Sequence, residues 1–144
     1  MDNKLLVEEL KKLLANTFSL YLKAHNYHWN VTGPNFAQYH DFLGDLYEEV
    51  HGAVDTTAEE IRKLGAFAPG ALSRFSELGE IQDEVTVPEA AIMFARLARD
   101  NDTVIKNLYI AREAADKIGA FGTVNFLEDR ISTHEKHAWM LKSF

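Results

Sequence analysis

Cysteine is absent from the 144 residues. That excludes disulfides, thiolate-ligated zinc and cysteine nucleophiles, and it fits a reducing cytoplasm. Long apolar runs are missing too: no stretch approaches the roughly 20 residues that cross a bilayer, and Met1-Asp2-Asn3-Lys4 lacks the basic opening and apolar core of a secretion signal. The expectation is a cytoplasmic protein with no membrane partner. Positive charge is scarce and scattered, with 15 basic against 22 acidic residues and a formal charge of −7. A field of that sign repels nucleic acid and attracts cations. No Lys/Arg-rich tail precedes the first helical pattern, and Lys142-Ser143-Phe144 adds a single cation, so DNA binding is expected to be weak or absent. No Gly-rich phosphate loop, Gly-x-Ser-x-Gly elbow or Ser/His/Asp order is present.

Proline occurs only three times, and between these breaks the chain carries long helical patterns. Apolar residues recur at three- and four-residue spacing in Leu5, Leu6, Leu10, Leu13, Leu14, Phe18, Tyr21 and Leu22, which predicts a helix over 5–31 with Asp2 or Asn3 as N-cap. Thr32-Gly33-Pro34 breaks it, Asn35 can cap the next helix, and a second pattern runs over 36–64 until Gly65. Residues 66–87 hold Pro69, Gly70 and Gly79, and read as a crossover with one short helix at 72–78. Pro88 suits the first position of a third helix over 88–118. The segment 119–122 then separates it from a fourth helix ending near 141. Four long helices with a central crossover describe an all-α, ferritin-like four-helix bundle, here filling a single domain over 1–144.

The chemistry concentrates around two histidines twelve residues apart, His28 and His40, on either side of the Gly33-Pro34 turn. Asp55 and Glu59 follow on the second helix. Two imidazoles and two carboxylates suit a transition metal, iron first. Asp55 cannot reach the histidines within one chain, because 15 residues of helix span about 22 Å. A shared site therefore needs two chains about a two-fold axis, the histidines of one facing the carboxylates of the other. His40, Gly44, Glu48, His51, Asp55 and Glu59 fall within about 100° of one another around that helix, one polar stripe along its length. A stripe like this on an average helix simply faces water.

Other pairs carry weaker signals. His25 and His28, and His134 and His137, sit at i, i+3, a spacing that can chelate but more often marks surface or cap polarity. The second pair stands in a last helical turn, where it complements the dipole. Glu48-Glu49-Val50-His51 contains one Glu-x-x-His; the di-iron centres built inside bundles use two. A single copy favours an interchain site over an iron pair in the core. Phe18, Tyr21, Phe94, Phe121, Phe126 and Trp139 read as core or interface packing.

The block His25-Asn26-Tyr27-His28-Trp29-Asn30-Val31-Thr32-Gly33-Pro34-Asn35-Phe36, then His40, Asp55 and Glu59, and finally Glu135-Lys136-His137-Ala138-Trp139-Met140-Leu141 resemble the Dps family, the mini-ferritins. The resemblance covers nearly the whole chain. It implies a hollow dodecamer of four-helix subunits, ferroxidase centres at the two-fold interfaces, oxidation of Fe²⁺ by hydrogen peroxide in preference to dioxygen, and storage of ferric mineral that protects against oxidative damage. His28, His40, Asp55 and Glu59 match the family's ligands, with Zn²⁺ as a substitute for Fe²⁺/Fe³⁺. Trp29 is placed to quench radicals.

Three departures stand out. Gly44 occupies the position of a family aspartate ligand, leaving His51 or Glu48 as replacements, and restoring aspartate there is expected to tighten binding of the second iron. Ala120 and Asn125 align with the usual pore aspartates, so only Glu128 and Asp129 remain to draw iron through a pore. The basic tail is missing. The competing reading is a metal-binding or DNA-covering cage with weak or no ferroxidase activity.

Overall fold

The computed structural model describes residues 2–144 and contains five helices: α1 (Lys4–Asn30), α2 (Phe36–Lys63), the short α3 (Leu72–Leu78), α4 (Ala90–Lys117) and α5 (Phe121–Leu141). No strand occurs among the described residues. The four long helices form the bundle. Its core follows the periodicity of α1, where Leu6, Leu10, Leu13, Leu14, Leu20, Ala24 and Tyr27 are buried against Leu43, Val50 and Ile61 of α2, Met93, Leu97 and Leu108 of α4, and Leu127 of α5. Each buried Leu, Val, Ile or Met side chain among them stabilises the fold by about 1.5–3 kcal/mol. Leu5 and Leu22 share that sequence pattern but lie off its inner face and stay exposed.

The expected ends of α1, α2 and α3 agree with the structure to within a residue. Two others move. Pro88 lies outside α4, because the first helical carbonyl is that of Glu89, which accepts from Ile92 and Met93. Gly122 lies inside the first turn of α5. There the left-handed Gly119 (φ +71°) reverses the chain alone, with Ala120 N–H donating to Ala115 and Val124 N–H to Ala120. Asn3 and Asn35 stand at N-cap positions, but neither side chain caps its helix. Asn3 donates to the Leu64 carbonyl at 2.9 Å and ties the start of α1 to the end of α2.

Between α1 and α2 the chain reverses in five residues. Gly33 takes φ +114°, a conformation L side chains rarely adopt, and its carbonyl accepts from Phe36 N–H at 3.1 Å. This tight reversal sets the last turn of α1 beside the second turn of α2. The crossover is fixed by polar groups instead. Lys23, buried in α1, reaches Asp100 of α4 at 2.7 Å and the Gln82 carbonyl at 2.8 Å. Glu84 accepts from Tyr27 at 2.6 Å and Arg96 at 2.5 Å. Those bonds, with Thr86, hold its carboxyl at about 2, well below the ordinary range, while burial first and then the bond to Glu84 push the Tyr27 phenol upward.

Candidate metal centre

His28 and His40 meet beside the Gly33 turn, their rings stacked with centroids 3.8 Å apart and planes 19° from parallel. Each ring is locked by the other residue's backbone. His28 Nδ1 lies 2.7 Å from the His40 carbonyl, and His40 Nδ1 lies 2.8 Å from the His28 carbonyl. A carbonyl oxygen only accepts, so each Nδ1 carries a proton and donates it. In the neutral rings the lone pair is then on Nε2, the arrangement in which a metal-ligating histidine is held by a partner on its other nitrogen. Phe36 flanks His40 at 5.1 Å and Tyr47 flanks His28 at 5.2 Å.

Asp55 and Glu59 do not join them. Both are exposed on the far half of α2, with no hydrogen-bond or ion-pair partner among the described residues. No group of three or more histidine, aspartate or glutamate side chains able to hold a metal forms within one chain among those residues. Glu60, next to Glu59, turns inward, buried and paired with Lys63. Glu48 and His51 are exposed on the stripe with Asp55 and Glu59, and the His51 ring packs 4.6 Å from Tyr21. Trp29 is 59% exposed, its ring 4.0 Å from that of His25.

Gly44 is not an empty slot. A Cβ there would lie 3.1 Å from His28 Cε1 and 3.2 Å from His28 Nδ1. The imidazole fills the space beside the glycine, and its hydrogen bond to His40 limits how far it can retreat. A side chain at this position, aspartate included, requires the His28 ring to give by a few tenths of an ångström.

A second histidine-rich cluster lies inside the bundle, and sequence reasoning misjudged it. His134 and His137 are buried, with 1% and 8% of their surface exposed, rather than surface or cap residues. Between them and α2 lies Arg130, whose guanidinium holds Glu49 through two bonds of 2.6 and 3.0 Å and lies 2.8 Å from His134 Nε2. A guanidinium only donates, so this nitrogen accepts and His134 Nδ1 donates to Asn101 at 2.8 Å. His137 Nε2 approaches Glu49 at 2.7 Å. Burial raises the Glu49 carboxyl, but bonds from His137 and Arg130 and their charge bring it down to about 2. Burial first, then the Arg130 charge, lower the His134 pKa well below its ordinary value. Glu49, next to the Glu48 that opens the Glu-x-x-His pattern, is the one that enters the bundle. The sequence signal available was the i, i+4, i+7 spacing of Arg130, His134 and His137 on one helix face.

In the third turn of α5, Glu128 and Asp129 are exposed, and Glu128 is held by Arg112 at 3.2 Å from both Nε and Nη2. Ala120 stands at the N-cap of α5 and Asn125 is exposed. No helix among the described residues is long and apolar enough to cross a membrane.

Comparison with known proteins adds three findings. The family model described as a ferritin-like domain matches residues 7–144. A DNA protection during starvation protein of Brevibacillus brevis is 35% identical over 94% of this chain and 91% of its own length. Among solved structures, a Dps protein from Bacillus brevis superposes with a TM-score of 0.94 at 33% identity, covering 100% of this chain and 99% of that one. The Dps protein of Vibrio cholerae O1, described as one of the ferritin-like diiron-carboxylate proteins, superposes with a TM-score of 0.94 at 26% identity, covering 98% and 89%.

Proposed function

The chain belongs to the Dps family of ferritin-like proteins, and on that footing we propose that it is a cage-forming ferroxidase that takes Fe²⁺ as substrate and stores the ferric product. The observation that carries this reading is the reciprocal locking of His28 and His40, which leaves two Nε2 lone pairs side by side at the surface. The ligand set is completed across a two-fold axis by Asp55 and Glu59 of a second copy, whose carboxylates have no partner among the described residues of their own chain. The imidazoles bind Fe²⁺ as neutral donors. The carboxylates cancel its charge and bridge two ions, so that both electrons can reach one hydrogen peroxide. A charge of −7 per chain favours cation uptake over DNA. With Glu128 engaged by Arg112, Asp129 is the freer of the two carboxylates proposed to guide iron inward.

The competing reading, a cage with weak ferroxidation, draws on Gly44, where the His28 ring packs against the backbone and no carboxylate stands one turn after His40 on its face of α2. Two measurements decide. Light scattering should give about twelve times the 16.3 kDa chain mass; a stable monomer or dimer would sink the cage. Anaerobic stopped-flow mixing of Fe²⁺-loaded protein with hydrogen peroxide should raise ferric absorbance within seconds. A rate no faster than that of free iron would favour the weaker reading.

A further inference from the structure

We propose that Arg130 holds, inside the bundle, the place a divalent transition metal would otherwise take between Glu49, His134 and His137, and that it thereby confines iron to the interchain site. The confinement rests on the ferroxidase reading above; the guarded core does not, and is tested without iron.

The donors come from two helices. His134 and His137 stand on the face of α5 that carries Arg130, and Glu49 reaches them from α2. A carboxylate and two imidazoles form a set that holds zinc and related ions, with water in the fourth place. His134 is already held as a metal-bound histidine is. Its Nδ1 donates to Asn101 at 2.8 Å, Asn101 is fixed in turn by donating to the His134 carbonyl at 2.9 Å, and Nε2 presents its lone pair. His28 and His40 are arranged in the same way, with one difference. Their lone pairs are left over, whereas the guanidinium takes the one on His134 at 2.8 Å together with both oxygens of Glu49. His137 Nε2 adds its contact to Glu49 Oε1 at 2.7 Å.

Arginine suits this post. Its charge is permanent, and its planar fork bonds a carboxylate and an imidazole at once, so an ion from solution must displace a cation that is tethered and buried. A guard is needed because the Glu49 side chain is 36% exposed and within reach of solution. With the guanidinium in place, no metal-holding group forms there among the described residues. Without it, His134 Nε2 and the Glu49 carboxylate lose their donor, a costly state that a divalent ion relieves. His137 joins by giving up its Nε2 proton as the metal binds.

The test uses the assembled full-length protein in a His28→Ala background, which disables the proposed interchain site, with Co²⁺ as probe, read by visible absorption and equilibrium dialysis. Arg130→Ala should bind one Co²⁺ per chain more than its Arg130 parent, with the intense bands of a four-coordinate ion. Adding His134→Ala or His137→Ala should weaken that binding by more than the roughly tenfold typical of losing an outer-shell partner. No additional Co²⁺, or additional Co²⁺ indifferent to both histidines, overturns the proposal. If Arg130→Ala does not fold alone, Zn²⁺ must restore its helical circular dichroism and must fail to do so once His137→Ala is added; absence of restoration also overturns it. With His28 intact and one Fe²⁺ per chain, Arg130→Ala should slow the initial oxidation by hydrogen peroxide several-fold, and His137→Ala added to it should recover the rate, which mere loss of a structural ion pair does not predict. An unchanged rate overturns the confinement. If the additional Co²⁺ binds but wild type oxidises no iron, the ferroxidase reading falls and the guarded core stands.

Discussion

The His28/His40 turn and the Arg130 cluster are built from the same kinds of group, imidazoles and carboxylates, and the protein uses them in opposite ways. In the bundle, Glu49 and His134 meet a guanidinium that the chain carries itself, His137 bonds the same Glu49, and Asn101 holds the other nitrogen of His134. At the turn, each imidazole is bonded on Nδ1 only, and Asp55 and Glu59, the carboxylates proposed to complete the set, stand about 22 and about 28 Å along the helix with no partner among the described residues. A metal site is thus marked by the lone pairs a fold leaves over, and residue type alone does not identify it. The buried cluster stabilises one chain; the exposed one, in the proposed reading, is completed by a second.

The largest effects should come from breaking the exposed half. His28→Ala and Asp55→Ala should each abolish fast Fe²⁺ oxidation, a loss exceeding the roughly 10- to 100-fold typical of removing an outer-shell partner. Cages mixed from the two variants should regain part of the rate, because some interfaces then contain both sets of intact ligands. Confirmed mixed cages with no recovery in stopped-flow absorbance would rule out the two-chain site.

Breaking the buried half should instead strike stability. Arg130→Met leaves Glu49 without its cation and His134 without its donor, a loss of about 3–5 kcal/mol that urea unfolding would register. Iron oxidation per folded cage should survive. If the variant unfolds at the wild-type urea concentration, Arg130 does not hold the bundle as described.

Acid separates the two regions more gently. His134 has its folded-state pKa depressed, so as pH falls below about 6.5 the unfolded chain takes up a proton that the native chain refuses. Stability then declines by up to ~1.4 kcal/mol per pH unit from this one group until its folded pKa is reached. Glu49 acts later. Its stabilisation is complete above the unfolded carboxylate value of 4.5 and disappears as pH falls towards about 2. His134→Gln should flatten the first decline in a series of urea melts between pH 7 and 5; an unchanged slope would show that another group dominates.

The smallest effect is expected at Gly44. Gly44→Ala gains roughly 1 kcal/mol of helix propensity and loses about 1–3 kcal/mol to crowding, so the melting temperature should move by only a few degrees. Iron affinity should fall because the pinned His28 ring must shift, and Gly44→Asp carries the same penalty. Tighter binding by the aspartate variant in anaerobic calorimetry would show that the ring yields easily.

Much of the fold was legible because it is local. Three- and four-residue apolar spacing, Gly33-Pro34 and Gly65 specified α1 and α2 almost to the residue, and the turn between them placed His28 beside His40. The 15-residue separation of His40 and Asp55 also showed, from helix rise alone, that one chain cannot close the site. The tertiary structure decided everything that depends on how helix faces rotate against one another. It turned Glu49 inward rather than Glu48, buried His134 and His137 around Arg130, and filled the space at Gly44 with an imidazole. It also bonded each histidine to the other's carbonyl, which fixes the free lone pair on Nε2. Periodicity gives a residue's angle around its own helix; which atom it meets depends on a neighbouring helix whose rotation and depth are set by the packing of the whole core.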